Sequence, residues 1–266
     1  TDWNGLMIGS MVQAYHVFGH RAYLSAAEGS MQFILDTLYH DGRLLHVYND
    51  GVAKLNGYLD DYAFLTDALL DLYEATFDTR WFELGQALTE TTVAQFWDDD
   101  GGGFFFTSAD HEQLIVRSKN PYDNAIPSGN AMCVHNLLRL SAFTGRSEYR
   151  DKAHQILCIF SDYMEKAPGG FRHLLSGLAW HLKQPQEIAI IGAIDDETTQ
   201  AMLKAVNTGF RPYKVVALYD PASGQERAAE IIPLLANRSL VDGKTTAYVC
   251  KDFVCRQPVT TAEELA

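Results

Sequence analysis

The stretch Leu59-Asp60-Asp61-Tyr62-Ala63-Phe64-Leu65 sets two adjacent carboxylates directly before a long, almost wholly apolar segment. Aspartate is favoured at a helix start, because its oxygen accepts free backbone N–H groups and its charge opposes the helix dipole. Taken alone, the pair is a helix cap. The chain makes a similar arrangement three times, in register. Asp61 lies twenty residues before Trp81, Trp3 twenty before Tyr23, and Gly129 twenty before Tyr149. Each copy runs polar loop, apolar helix, short Gly/Asp/Arg turn, aromatic residue, second helix. The aromatics at 23, 81 and 149 give periods of 58 and 68 residues. That length suits one αα-hairpin plus a long return loop.

Within each copy the first helix is the more apolar. Leu6 to Phe18 is interrupted by Ser10, Gln13 and His16, and Ala131 to Phe143 by His135, Asn136, Arg139 and Ser141. In Tyr62 to Phe77 the charges Asp67, Asp71 and Glu74 form one narrow stripe, as expected of a helix with a single wet edge. The second helices, about Arg21 to Leu38, Arg80 to Trp97 and Glu148 to Glu165, are more mixed. The pattern predicts an inner and an outer ring of helices. The loops Asp2 to Gly5, Leu59 to Tyr62 and Ile126 to Asn130 would then open on one common face. Trp3, Tyr62 and the run Pro127-Ser128-Gly129-Asn130 exceed what three separate caps require, and they point to a shared ligand pocket.

A net charge of −13 over 266 residues argues against nucleic acid and anionic membrane surfaces as partners. No apolar run approaches the roughly 20 residues of a membrane span. Four cysteines fit a reducing compartment, so a cytoplasmic location is expected. Cys133 and Cys158 fall in helical apolar patterns and read as buried, inert thiols. The chain opens on Thr1-Asp2-Trp3 without Met, as a fragment or a processed product would.

Glycine-rich returns separate the hairpins. Tyr39 to Tyr48 alternates around Asp41-Gly42 and reads as a small β-ribbon. Trp97 to Phe106 reads the same way. Its Asp98-Asp99-Asp100 run lacks the spaced oxygen ligands of a calcium loop and reads as a solvated turn, so no metal is expected. Pro168-Gly169-Gly170 ends the third hairpin, and Phe171 to Leu182 forms one more helix with His173 as a polar end group. After Pro185 the pattern changes to strand, helix, strand, helix, strand (186–192, 195–206, 214–219, 228–235, 246–250), which implies a small parallel sheet. It has no glycine-rich phosphate loop, and no cofactor is expected. Cys250 and Cys255 are too far apart for a Cys-x-x-Cys motif. Two structural cysteines are the simpler reading, with a thiol pair or reversible disulfide left open. The fold class is therefore mainly α: a partial (α/α)6 toroid of three αα-hairpins plus one helix over 1–184, followed by a small α/β unit over 185–266.

Four motifs in order carry a family resemblance: Trp3-Asn4-Gly5-Leu6-Met7-Ile8, Asp60-Asp61-Tyr62-Ala63-Phe64, Pro127-Ser128-Gly129-Asn130, and Tyr248-Val249-Cys250 with Cys255 and Pro258. Over essentially its whole length the chain resembles the C-terminal portion of the YyaL-like, spermatogenesis-associated family of thioredoxin-domain-containing proteins. The resemblance implies a toroid similar to N-acylglucosamine 2-epimerase and six-hairpin glycosidases. The family's N-terminal thioredoxin-like domain and first hairpins have no counterpart in these residues.

Two functions follow as expectations. In a carbohydrate-active protein of epimerase-like or glycosidase-like type, Asp60, Asp61 and Asp123 would supply the proton donor and acceptor. Trp3, Tyr62 and Trp97 would stack on sugar rings, and Asn4, Ser128, Gly129 and Asn130 would bind hydroxyls. His16, His135 and His173 are the histidines on the relevant elements, and none stands in a matching motif. The alternative is a non-catalytic binding or scaffold module. Three hairpins cannot close a six-hairpin ring, so exposed apolar flanks are expected to drive homodimerisation or association with the missing half.

Overall fold

The computed structural model describes residues 1–112, 115–183, 185–208, 210–223 and 227–265. Two compact units emerge, one from residues 1–138 and 148–179, the other from 139–147 and 180–266.

In the first unit, helices α1 (Asp2–Phe18) and α2 (Arg21–Leu38) form the first hairpin, α3 (Leu59–Thr76) and α4 (Thr79–Phe96) the second. Helix α5 (Gly129–Thr144), whose residues from Arg139 on count with the second unit, opens the third; its return helix breaks at Phe160 into α6 (Ser147–Ile159) and α7 (Ser161–Lys166). Each turn uses the chemistry the repeat advertises. Gly19 and Phe77 take left-handed backbone after α1 and α3, and their N–H groups return to Tyr15 and Tyr73 carbonyls. Asp78 caps α4 by accepting the Arg80 N–H at 3.1 Å. The repeat aromatics Trp81 and Tyr149 are buried at 1% and 3% exposure and act as core wedges at the base of their hairpins.

Helix α3 is the axis of this unit. Twelve of its 18 residues are buried, and α1 packs along it through Gly5. A Cβ on Gly5 would meet the Phe64 carbonyl carbon at 2.8 Å, so this crossing tolerates only glycine. Along α5, Asn136 donates to the Ala63 carbonyl of α3 at 2.8 Å.

The first return loop is a three-stranded antiparallel sheet of β1 (Tyr39–His40), β2 (Arg43–Asn49) and β3 (Val52–Asn56). The second does not form the expected ribbon. Only a single Trp97–Phe104 bridge is present. Lys119 draws the turn in, donating to Asp98 and to the Gly102 carbonyl, both at 2.5 Å. That contact makes the acidic run a cation-bound turn in which the cation is a lysine.

Helix α8 (Arg172–Lys183) belongs to the first unit through Ala179, and the second unit then holds β4 (Gln186–Ile191), α9 (Glu197–Asn207), β5 (Lys214–Tyr219), α10 (Ala228–Ile231), β6 (Thr246–Lys251), β7 (Val254–Cys255) and α11 (Ala262–Leu265). The sheet order is β5-β4-β6-β7. β4 and β5 pair in parallel, as a helical crossover requires. β6 is antiparallel to β4 and β7 to β6, so the expected all-parallel sheet is mixed. The cause lies in the second connection: Pro233 stops α10 after one turn, leaving a 3-10 turn (Pro233–Leu235) and a loop in place of a full crossover helix. Asp196 caps α9 as its sequence suggests, accepting the Thr198 and Thr199 N–H groups at 3.0 and 3.1 Å.

Candidate functional site at the helix starts

The expected loops at Asp2 and Leu59 are the first turns of α1 and α3, and Gly129 opens α5. Their starts meet around Asp60 and Asp61. Asp61 is fully buried. One of its oxygens accepts the Asp2 N–H at 2.9 Å and the other the Tyr58 N–H at 2.8 Å. Its carboxylate also faces His46 Nδ1 at 2.9 Å. Asp61 therefore ties the start of α1, the start of its own helix and strand β2 into one knot. Burial raises its carboxyl above the ordinary range, against the opposing pull of His46 and the Tyr58 N–H.

Asp60 is the partly open member of the pair. Burial, then the charges of Asp2 and Asp61, push its carboxyl to about 6, while a Gly129 N–H at the start of α5 pulls the other way. The contact is tight: a Cβ on Gly129 would lie 2.3 Å from the Asp60 oxygen. Glycine is required there because the carboxylate sits where a side chain would begin.

The remaining candidates divide sharply. Asp123, 7% exposed, accepts the Ser128 N–H at 2.9 Å and the His173 N–H at 2.7 Å, so it staples α5 to α8. Ser128 caps α5 through the Ala131 N–H at 3.2 Å. Asn130 is fully buried, and its amide both donates to and accepts from the Phe104 backbone at 2.9 Å, in the manner of a β-bridge. Tyr62 is likewise fully buried; its hydroxyl accepts the Leu44 N–H at 3.0 Å and the Arg43 Nε–H at 3.1 Å. It offers no face for stacking. Trp97 packs edge-on to Phe104 under Lys152, whose ammonium lies 4.0 Å from the ring. Trp3, 71% exposed, and Asn4 are the residues left open on the first turn of α1.

The sequence does not single out His46. It lies on a strand, 15 residues from Asp61, and no helical or motif spacing connects them. Asp2, His46 and Asp61 each place a ligand atom within 4.8 Å of the others. This donor set, an imidazole and two carboxylates, is of a kind that holds zinc or a similar divalent ion. In this arrangement its atoms already serve one another and the backbone. Around it, Tyr58 stacks on Phe106 with centroids 5.0 Å apart and meets His46 edge-on at 5.1 Å.

His135 and His173 stack at 4.2 Å. His135 Nε2 sits 3.1 Å from the His173 carbonyl, and burial lowers the His173 ring below its usual value. Two rings stacked on each other do not flank a substrate as an acid–base pair would. Cys133 is buried, and its thiol is driven up by that burial, as expected of an inert core residue. Cys158, expected to be buried, is exposed, because its position falls on the outer face of a return helix. Cys250 and Cys255 form a disulfide, which corrects the simpler reading of two separate structural cysteines.

The family model for glycosyl hydrolase family 76 matches residues 3–166. The chain is 33% identical over 276 residues to spermatogenesis-associated protein 20 of Homo sapiens, covering 99% of this chain and 35% of that protein. It is 29% identical to an uncharacterized protein of Caenorhabditis elegans, covering 100% of this chain and 37% of that one. The chain thus spans about a third of the length of the curated relatives it matches. Among solved structures, a GH76 alpha-mannanase of Bacteroides thetaiotaomicron aligns with a TM-score of 0.49 and 16% identity, over 59% of this chain and 43% of that one. Through its three helical hairpins, the chain belongs to glycosyl hydrolase family 76.

Proposed function

We propose that this chain carries the sugar-handling face of a carbohydrate-active protein, with the ligand seated at the starts of α1, α3 and α5. One observation carries the reading: a partly open carboxyl, Asp60, stands where three helix starts meet, against Gly129 and beside Asp61, and burial with the charges of Asp2 and Asp61 pushes it up to about 6. A carboxyl poised there is partly protonated near neutral pH and can hand a proton to a glycosidic or ring oxygen. In this reading Asp60 is the proton donor. Asp2, whose charge presses on Asp60 more than that of Asp61, is the second carboxylate with solvent access. Asp61 is a positioning residue: it fixes the backbone of Asp2 and adds to the charge that raises Asp60. Trp3 offers a stacking face and Asn4 an amide for hydroxyls, while Ser128, Gly129, Asn130 and Asp123 shape the wall by holding α5 and its loop.

The test is a panel of neutral mono- and disaccharides, followed by ligand-observed NMR and by hydrolysis and isomerisation assays. Binding that is lost in Trp3→Ala, with turnover lost in Asp60→Asn, is the expected outcome. Absence of binding across the panel, in a chain shown to be folded, would contradict the reading.

A second reading, a non-catalytic binding or scaffold module, is favoured by one specific fact. Asp61, Asp123, Ser128 and Asn130 all spend their polar atoms on backbone groups. Saturable sugar binding without any turnover, unchanged by Asp60→Asn, would select it.

A further inference from the structure

The second unit holds a group that sugar chemistry does not use. Strands β6 and β7 form an edge hairpin in which Cys250 pairs directly with Cys255 and Lys251 with Val254. The two turn residues, Asp252 and Phe253, both take left-handed backbone, at φ 48° and 62°. Two-residue hairpins of this hand favour Asn-Gly, since a side chain in that region is unfavourable. Phenylalanine there works against the turn, and the disulfide holds the hairpin closed.

The two sulfurs differ in access. Cys250 is 1% exposed and Cys255 is exposed. Arg238 reaches both, with Nη2 3.3 Å from Cys250 Sγ and 3.1 Å from Cys255 Sγ. Beside them lies a cavity of about 170 Å³ lined by Gln186, Val249, Cys250, Lys251, Val254 and Arg256. In a chain of net charge −13, Lys251 and Arg256 of the lining, with Arg238, outnumber the nearby carboxylates Glu187 and Asp252 and make this a locally cationic corner. Two other groups bear on the sulfurs. Glu187 of β4 stands opposite Cys250 in the sheet register, and its carboxylate accepts the Phe253 N–H at 2.8 Å. Tyr248 lies under the Arg238 guanidinium, 5.8 Å from it. The Glu187 charge opposes thiolate formation, and Arg238, in contact with both sulfurs, favours it.

We propose that Cys250–Cys255 is a reversible redox couple whose electron donor is a small anionic thiol. The donor's thiolate attacks the exposed Cys255 Sγ, and the S–S bond breaks. Cys250 leaves as a thiolate facing Arg238. The donor is then joined to Cys255 as a mixed disulfide. A second donor thiolate attacks the donor-side sulfur, releasing Cys255 and a symmetrical donor disulfide. Two donor thiols are oxidised, and the cysteine pair gains two electrons and two protons. The cationic lining attracts the donor, and the guanidinium lowers the basicity of the leaving sulfur, which speeds exchange.

The experiment uses the whole chain at pH 7, with free thiols trapped by alkylation and counted by mass above the Cys158 background. Reduced glutathione is compared with uncharged 2-mercaptoethanol at equal thiolate concentration. The expected result is reversible reduction of the folded chain, several-fold faster with glutathione. That advantage should vanish in a Lys251→Ser, Arg256→Ser double variant and at high salt. Arg238→Gln should slow reduction about tenfold and raise the pH at which Cys250 alkylates, and Arg238→Lys should restore most of both. A bond that yields only after denaturant unfolds the chain would overturn the redox couple. Equal rates with the two thiols would overturn the anionic donor. An Arg238→Gln variant with unchanged rate and unchanged alkylation pH would overturn the role of the guanidinium.

Discussion

Helices α1 and α3 hold the same place in successive repeats, yet they live in different surroundings. α3 is bounded by α1 on one flank and α5 on the other, and 12 of its residues are buried. α1 buries Gly5, Ile8 and Val12, and exposes Trp3, Met7, Val17 and Phe18. Both are apolar in sequence. What differs is the number of neighbours, so an apolar helix in a repeat reports the ring it belongs to and not its burial in a given piece of that ring. The start of α1 is nonetheless tied to that of α3, because Asp61 accepts its first backbone amide.

The largest expected effect lies at that grip. Asp61→Ala leaves the Asp2 and Tyr58 amides and His46 without their acceptor, and should cost about 3–5 kcal/mol in denaturant unfolding. A loss under 1 kcal/mol would mean that water replaces the carboxylate easily and that the knot is not structural. Next comes the contrast between the two helices themselves. Leu69→Ala in α3 should cost about 2–5 kcal/mol through the cavity it leaves. Met7→Ala on the open flank of α1, 57% exposed, should stay within about 0.5 kcal/mol. Equal losses would show that the two helices are equally buried in effect.

Smaller effects follow from titration. Asp60 is raised in the fold, so its contribution to stability is complete below its ordinary value of 3.8 and is lost as pH rises through about 6. Asp60→Asn should therefore stabilise the chain by about 1–3 kcal/mol at pH 7.5 and by nothing at pH 3.5, after allowance for its partial exposure. His173 runs the other way. Its folded value is lowered by burial, so its contribution is complete above 6.5 and is lost as pH falls through the depressed folded value. His173→Gln should flatten the acid limb of the stability profile. The smallest change in unfolding energy is expected for Met7→Lys with Val17→Lys. Sedimentation should nevertheless show the parent self-associating and the double variant dispersed, since the stripe on α1 is the exposed apolar flank at issue.

The sequence makes the hairpins legible because their signals are local. The aromatics at 23, 81 and 149 and the apolar runs before them define the repeats, and α2 matches its expected span of Arg21 to Leu38. The site was legible only in part. Asp60 and Asp61 stand next to each other in the chain, yet one is partly open and the other is sealed by the amide of Asp2 and the imidazole of His46 on a strand. The sequence does not show that the Asp123 carboxylate holds the amides of Ser128 and His173, because these lie 5 and 50 residues away. The Trp97 ribbon is absent for the same reason: Lys119, 21 residues beyond Asp98, reshapes the turn. Tertiary partners of this kind leave no periodic trace.

The proposed chemistry depends on the Asp60 carboxyl being raised to about 6 by burial and by the charges of Asp2 and Asp61. It is tested most directly by following the Asp60 carboxyl carbon in a ¹³C NMR pH titration of the folded chain. A midpoint near 6 that falls in Asp2→Asn is the predicted result; a midpoint near the ordinary 3.8, indifferent to Asp2, would contradict it.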